Sequence, residues 1–210
     1  MATLADLKMA AQHPNVRRFL DALSASEGTT KYGYATAFGG GRLSSLADHP
    51  RVDHTFTQTN GRTNTTTAAG RYQFLKSTWD GLRKQYGFKD FGQQSQDLGA
   101  IALMQQGGGL DAVLSGDYNT AIAKLGRIWA SLPSSTAAQP KRSAAFMAKA
   151  LGGLPAKTSR IAASPSVNYQ PQFLSADDLA LAFGGGRSLP AYQPQFLDDA
   201  QAAALFGERS

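Results

Sequence analysis

The chain changes character at residue 152. Upstream, apolar residues recur at helical spacing between recognisable caps and glycine breaks. Downstream, GGLPAKTSRIAASPSVN (152–168) reads as a linker, and a duplication follows it. Core-building sequence is thus confined to the first three quarters of the chain, enough for one domain with an appendage. The expected organisation is an N-terminal arm (1–14), a body (15–152), the linker (153–168) and a repeat tail (169–210). Charge divides at nearly the same place. Residues 1–154 hold 17 Lys/Arg against 10 Asp/Glu, and residues 155–210 hold 4 against 5. A basic body suggests an anionic partner such as nucleic acid, acidic lipid or cell-wall polymer, or simply solubility.

The duplication has a period of 23. YQPQFLSADDLALAFGGGR starts at Tyr169 and YQPQFLDDAQAAALFGERS at Tyr192. Each copy predicts an extended YQPQ segment followed by a helix of about eight residues, too short to persist alone in water. Such a segment folds on a surface, its own body or a partner. The candidate docking residues are Tyr169, Pro171, Phe173, Leu174 and Phe183 in the first copy. Their counterparts in the second are Tyr192, Pro194, Phe196, Leu197 and Phe206. Two copies on a flexible GGGRSLPA can fill two equivalent pockets and gain from effective concentration.

Within the body, Pro14 suits a first helical turn, and Val16, Phe19, Leu20 and Leu23 form one apolar stripe over 14–27. Residues 31–67, rich in Thr, aromatics and Gly, predict short strands and loops with one small sheet. Helices are expected from Ser77 (as cap) to Gly87, over 94–106, after Asp117 with Ile122, Leu125, Ile128 and Trp129 on one face, and over 140–151. GGG at 107–109 reads as a break. The pattern is α+β and mostly helical.

Glutamate occurs only at 27 and 208. Glu27 lies seven residues after Leu20, so it continues the apolar stripe and leaves the helix on its core-facing side, just before Gly28. Partial burial disfavours a carboxylate and raises its pKa, the property a general acid needs at neutral pH. An exposed helix-end glutamate is the alternative. With no cysteine, disulfides, thiolate catalysis and thiolate-held metals are excluded. His49 and His54, with Asp48 and Asp53, match no standard ligand spacing, so no metal and no cofactor is expected. The paired cations Arg17-Arg18 and Arg83-Lys84 lack a stacking pattern, so no specific nucleic-acid partner is expected. No run of 18 uncharged apolar residues predicts a membrane span, and MATLADLKMAAQHPN lacks the apolar core of a secretory signal.

SEGT (26–29), GYATAFGG (33–40), DHPR (48–51), TAAGRYQFL (67–75), TWD (78–80), SQD (95–97) and IWASLP (128–133) form an ordered set whose order and similar spacing carry a resemblance. Together they resemble the lambda-type phage endolysins, lysozyme-fold lytic transglycosylases that cleave peptidoglycan. The resemblance covers roughly residues 15–150. It implies a lysozyme-like fold with a small sheet, followed here by an extended tail with two short helices. It implies Glu27 as the single catalytic acid/base and peptidoglycan glycan strands as substrate. The family's Gly-Arg-Tyr-Gln element falls on Gly70, Arg71, Tyr72 and Gln73. By that likeness Gln73 bonds substrate, while Tyr72, Gly70 and Tyr34 shape the sugar sites; Trp79 is read as core. Where the family's type member carries an aspartate after its Gly-Tyr pair, this chain has Ala35. A hydrolase would need a second carboxylate, for which Asp48 and Asp53 are the nearest candidates in sequence. The type member also ends near the body. The tail therefore implies docking onto a phage structural protein, in the virion, or a lysis enzyme of the host cytoplasm released to the periplasm.

Overall fold

The computed structural model describes residues 2–57, 63–136 and 141–152. The linker, the repeat tail and all ten docking residues lie outside the described residues. The body is α+β and mostly helical, as its periodicity implies. Its helices are α1 (Leu4–Ala10), α2 (Pro14–Ser26), α3 (Lys76–Tyr86), α4 (Gln93–Gln106), α5 (Leu110–Ser115), α6 (Tyr118–Leu125) and α7 (Ala144–Ala150). Between α2 and α3 run two short 3-10 turns and one antiparallel pair, β1 (His54–Thr57) with β2 (Thr63–Thr66), in the register His54↔Thr66 to Thr57↔Thr63. None of the described helices is long and apolar enough to cross a membrane.

α4 is the axis of the core. Leu98 to Met104 are buried without interruption, and so is Gln96. A helix buried all round needs no apolar stripe, because neighbours cover every face. α2 is the opposite case. Val16, Phe19, Leu20 and Leu23 form the buried stripe predicted for it, and its other face is wet. Pro14 occupies the first turn behind His13, whose ring accepts from the Asn15 N–H. An aromatic cluster joins α3 to the loops around it. The Trp79 ring meets Phe91 edge-on at 4.7 Å and lies 5.2 Å from Phe74 and 5.6 Å from Phe88. Trp79 is fully buried, so it is core.

The structure departs from expectation at four places, each with a local cause. Residues 1–14, read as an arm, contain α1, capped by reciprocal Thr3 and Asp6 bonds, with Leu7 and Ala10 in the core. α3 begins at Lys76 with Leu75 at its N-cap, so Ser77 does not cap it, and Asp80 pairs with Arg51 instead. The glycine run 107–109 is a joint rather than a simple break, since Gly107 closes α4 and Gly109 opens α5. α6, capped by Asp117 as expected, stops at Leu125. Ile128 and Trp129 follow in a tight turn, both N–H groups donating to the Leu125 carbonyl.

A polar cluster ties the loop before β1 to α3. Arg51 spans Asp80 (2.5 Å) and Asp48 (3.4 Å), and Arg83 reaches Asp48 at 2.8 Å. Burial is the largest single influence on the Asp48 carboxyl and pushes it up, but the His49 N–H and the two arginines together hold it below its usual range. His49 is buried, with Nε2 2.9 Å from the Phe74 carbonyl and Nδ1 accepting from the Arg51 N–H at 3.1 Å. Both ring nitrogens are therefore engaged by backbone, which fixes the Nε2–H tautomer.

Candidate active site

Glu27 is the C-cap of α2. Its N–H donates to the Leu23 carbonyl at 2.9 Å, and Gly28 follows at φ +72°, turning the chain out of the helix. The side chain is 3% exposed. Oε1 accepts from the Ser131 hydroxyl at 2.6 Å, and Oε2 is buried without a hydrogen-bond partner. Burial pushes the carboxyl up to about 7, against the opposing pull of Ser131 and of the Arg142 charge. A carboxyl that is half protonated near neutrality can both give and take a proton there. The inward placement read from the apolar stripe is what the structure has.

The Gly70–Gln73 turn is held from three sides. Gly70 N–H donates to the Thr36 carbonyl at 2.8 Å, and Thr29, two residues beyond Glu27, donates its hydroxyl to the Arg71 carbonyl at 2.7 Å. Gln96 closes the third side. Its Oε1 accepts the Arg71 N–H at 2.7 Å, and its amide donates to the carbonyls of Phe91 (2.7 Å) and Tyr34 (3.0 Å). Gly70 sits at φ +82° against Gln96 and Phe91. Gln73 has φ +50° and is buried, its amide donating to the Gly70 carbonyl at 2.8 Å. Its Oε1 is buried and has no hydrogen-bond partner among the described residues. A non-glycine residue held in the left-handed region by its surroundings is characteristic of a functional turn.

Tyr72 is 1% exposed and belongs to the aromatic core. Its hydroxyl donates to Asp97 at 2.6 Å, and the Arg71 guanidinium lies 5.5 Å from the centre of its ring. Any influence of Tyr72 on a sugar therefore passes through its neighbours. Tyr34, half-buried, donates to the same carboxylate at 2.9 Å and accepts from Arg71 at 2.7 Å, while Arg71 also pairs with Asp21. Burial raises the Asp97 carboxyl although both tyrosines and Arg71 stabilise its charge. An open groove of about 580 Å³ runs along this network, with Lys8, Arg17, Asp21, Tyr34, Arg71 and Asp97 in its lining.

Sequence reasoning singled out Glu27 and the Gly70–Gln73 turn, and the structure connects them through Thr29. It did not find Ser131, Arg142, Gln96 or Asp97 as site residues. Ser131, Gln96 and Asp97 lie inside the motifs IWASLP and SQD, but no spacing rule assigns them a partner. Asp48, a candidate second carboxylate, is committed to Arg51 and Arg83, and Asp53 is exposed.

A family model described as Endolysin matches residues 17–152. The endolysin of Escherichia phage lambda is 40% identical over 124 residues, covering 56% of this chain and 76% of that protein. The endolysin of Escherichia phage P2 is 35% identical over 161 residues, covering 69% of this chain and 96% of that protein. Among solved structures, bacteriophage lambda lysozyme complexed with a chitohexasaccharide superposes with a TM-score of 0.60 at 37% identity. That match covers 66% of this chain and 94% of that one. A second lambda lysozyme structure gives a TM-score of 0.53 at 35% identity, covering 65% of this chain and 86% of that one. With residues 17–152 matched by the family model and the lambda lysozyme structures superposing on the body, this chain belongs to the endolysin family and has the lysozyme-like fold.

Proposed function

We propose that the protein cleaves the bond between N-acetylmuramic acid and N-acetylglucosamine in bacterial peptidoglycan by lytic transglycosylation, with Glu27 as sole acid/base. The observation that carries the reading is the buried Glu27 carboxyl poised near 7, with one oxygen held by Ser131. Glu27 gives its proton to the glycosidic oxygen as the C1–O bond breaks. The resulting carboxylate then takes the proton of the muramic acid C6 hydroxyl. That oxygen attacks C1 and closes a 1,6-anhydro ring. Because the nucleophile belongs to the substrate, no second carboxylate is required to activate water. Ala35 after the Gly-Tyr pair, and the commitment of Asp48 to arginines, support this over hydrolysis. The sugar-bound lambda lysozyme structure supports a glycan strand as ligand. Gln73, whose buried Oε1 has no hydrogen-bond partner among the described residues, accepts a hydrogen bond from that strand, and Gly70 and Tyr34 shape its path.

Mass spectrometry of fragments released from purified peptidoglycan tests the reaction. The expected products are anhydro-muropeptides. Hydrated reducing ends would replace the transglycosylase with a muramidase, and no release at all would leave a structural role.

The two-copy tail (169–210) extends the proposal to a phage structural protein as docking partner, which places the enzyme in the virion for wall opening at entry. The 23-residue duplication supports it. Deleting 160–210 is expected to abolish particle association and to leave wall cleavage intact. Lost cleavage with normal association would overturn this role.

A further inference from the structure

Ser131 is fully buried, and behind it lies a second fully buried hydroxyl, Ser26, the last residue of α2. Three short contacts link them in a row. Ser131 Oγ is 2.6 Å from Glu27 Oε1, Ser26 Oγ is 2.9 Å from Ser131 Oγ, and Ser26 Oγ is 2.8 Å from the Leu23 carbonyl. The proton count along this row limits what it can do. Two hydroxyls carry two protons, so three contacts cannot all be hydrogen bonds unless Glu27 contributes a third from Oε1.

An arrangement in which Ser26 donates to Leu23 and Ser131 to Oε1 leaves two hydroxyl oxygens 2.9 Å apart with no proton between them and is unfavourable. Two continuous polarities remain. In the first, Ser26 donates to Ser131 and Ser131 donates to Oε1. The Leu23 carbonyl then gives up the Ser26 bond but keeps its helix bond from the Glu27 N–H at 2.9 Å, so it is not left bare. In the second, protonated Oε1 donates to Ser131, Ser131 to Ser26, and Ser26 to Leu23. The first polarity is available to the ionised carboxylate as well as to an acid form that carries its proton on Oε2. It also places a charge-assisted bond on the anion, the stronger kind. The second polarity exists only while Oε1 is protonated, and it aims the proton into the protein. The oxygen without a hydrogen-bond partner among the described residues is Oε2, which is itself buried.

We propose that Ser26 and Ser131 are positioning residues whose hydroxyl row points at Glu27 Oε1 throughout the reaction, so that Oε2 is the atom that exchanges the proton with the substrate. No proton leaves the row; the two hydroxyls only hold their orientation. The charged side chain acting on Glu27 here is Arg142, at the entrance to α7, which also donates to the Ser26 carbonyl at 3.3 Å. Its charge favours the carboxylate, but burial outweighs it and keeps the folded-state carboxyl raised. The inference rests on Glu27 being the acid, and its test separates the two.

The chain has only two glutamates, Glu27 and Glu208. Full-length protein labelled with 13C at the glutamate side-chain carboxyl therefore gives two resonances, and Glu27→Gln identifies one by its disappearance. Ser131→Ala is expected to raise the Glu27 midpoint by about one unit, a tenfold gain in proton affinity, because the anion loses its donor. Ser26→Ala moves it the same way by less, since Ser131 loses only its backing. The alkaline limb of wall cleavage shifts upward with each midpoint. A purely structural role would lower the melting temperature without moving either quantity. An unchanged midpoint in the folded variants overturns the proposal. So does a fall, which would reveal the second polarity, with Oε1 as the protonated atom. If Ser131→Ala does not fold, Ser26→Ala decides alone, with the same two overturning outcomes. If Glu27→Gln still cleaves the wall, the acid reading fails, while the titration still reports the polarity of the row.

Discussion

Glu27→Gln is expected to lower wall cleavage by about 10²–10⁴-fold, the contribution of a positioned general acid. The substitution keeps the shape of the side chain, and Ser131 can donate to the amide oxygen as it does to Oε1. What is lost is only the proton that ionises. The same variant should be more stable than the parent, and only at high pH. Burial raises the folded-state carboxyl from 4.5 to about 7. Between those values the folded state holds a proton that the unfolded state has released, so stability falls as pH rises. The penalty is absent below pH 4.5 and complete above pH 7, where it reaches about 3 kcal/mol. Glutamine carries no such penalty. Urea unfolding at pH 4.5 and pH 8 checks this: the two proteins should match at the lower pH and diverge at the higher one. Equal stability at both would mean that Glu27 is solvated. An enzyme that keeps its acid at such a cost shows the usual conflict between activity and stability.

The second large effect is expected at Gly70. Its φ of +82° lies in the left-handed region, and an added Cβ would sit 2.3 Å from Gln96 Oε1 and 2.7 Å from Phe91 Cζ. The first contact displaces the amide that holds Arg71, Phe91 and Tyr34 together, and the second pushes into the aromatic core. Backbone strain of about 1–2 kcal/mol adds to about 1–3 kcal/mol of overpacking. Gly70→Ala should therefore lose about 3–4 kcal/mol of stability, measured by denaturant midpoint, and should misplace Gln73. A loss under about 1 kcal/mol would show that the turn can relax. Glycine at Gly87, with φ +71° and open space around it, gives the contrast: alanine there meets strain alone.

Several elements were legible because their cause is local. α2 is announced by proline at its start, four apolar residues on one face and glycine just past its end. The inward position of Glu27 follows from counting along that face. Asp117 and Gly87 mark ends of α6 and α3 by capping chemistry that acts within one turn. α1 and α5, of seven and six residues, were missed because so short a helix carries little periodicity and is stabilised by the core it joins.

By itself, then, the sequence determined the longer helices with local caps, where glycine turns the chain at their ends, and that one carboxylate faces the core. Those properties depend on neighbours within about one or two turns. Only the tertiary structure decided what that carboxylate meets. Ser131 lies 104 positions from Glu27, Gln96 lies 25 from Arg71, and Asp97 lies 63 from Tyr34. A hydrogen bond selects its partner by distance and angle in space, and no spacing along the chain encodes that choice.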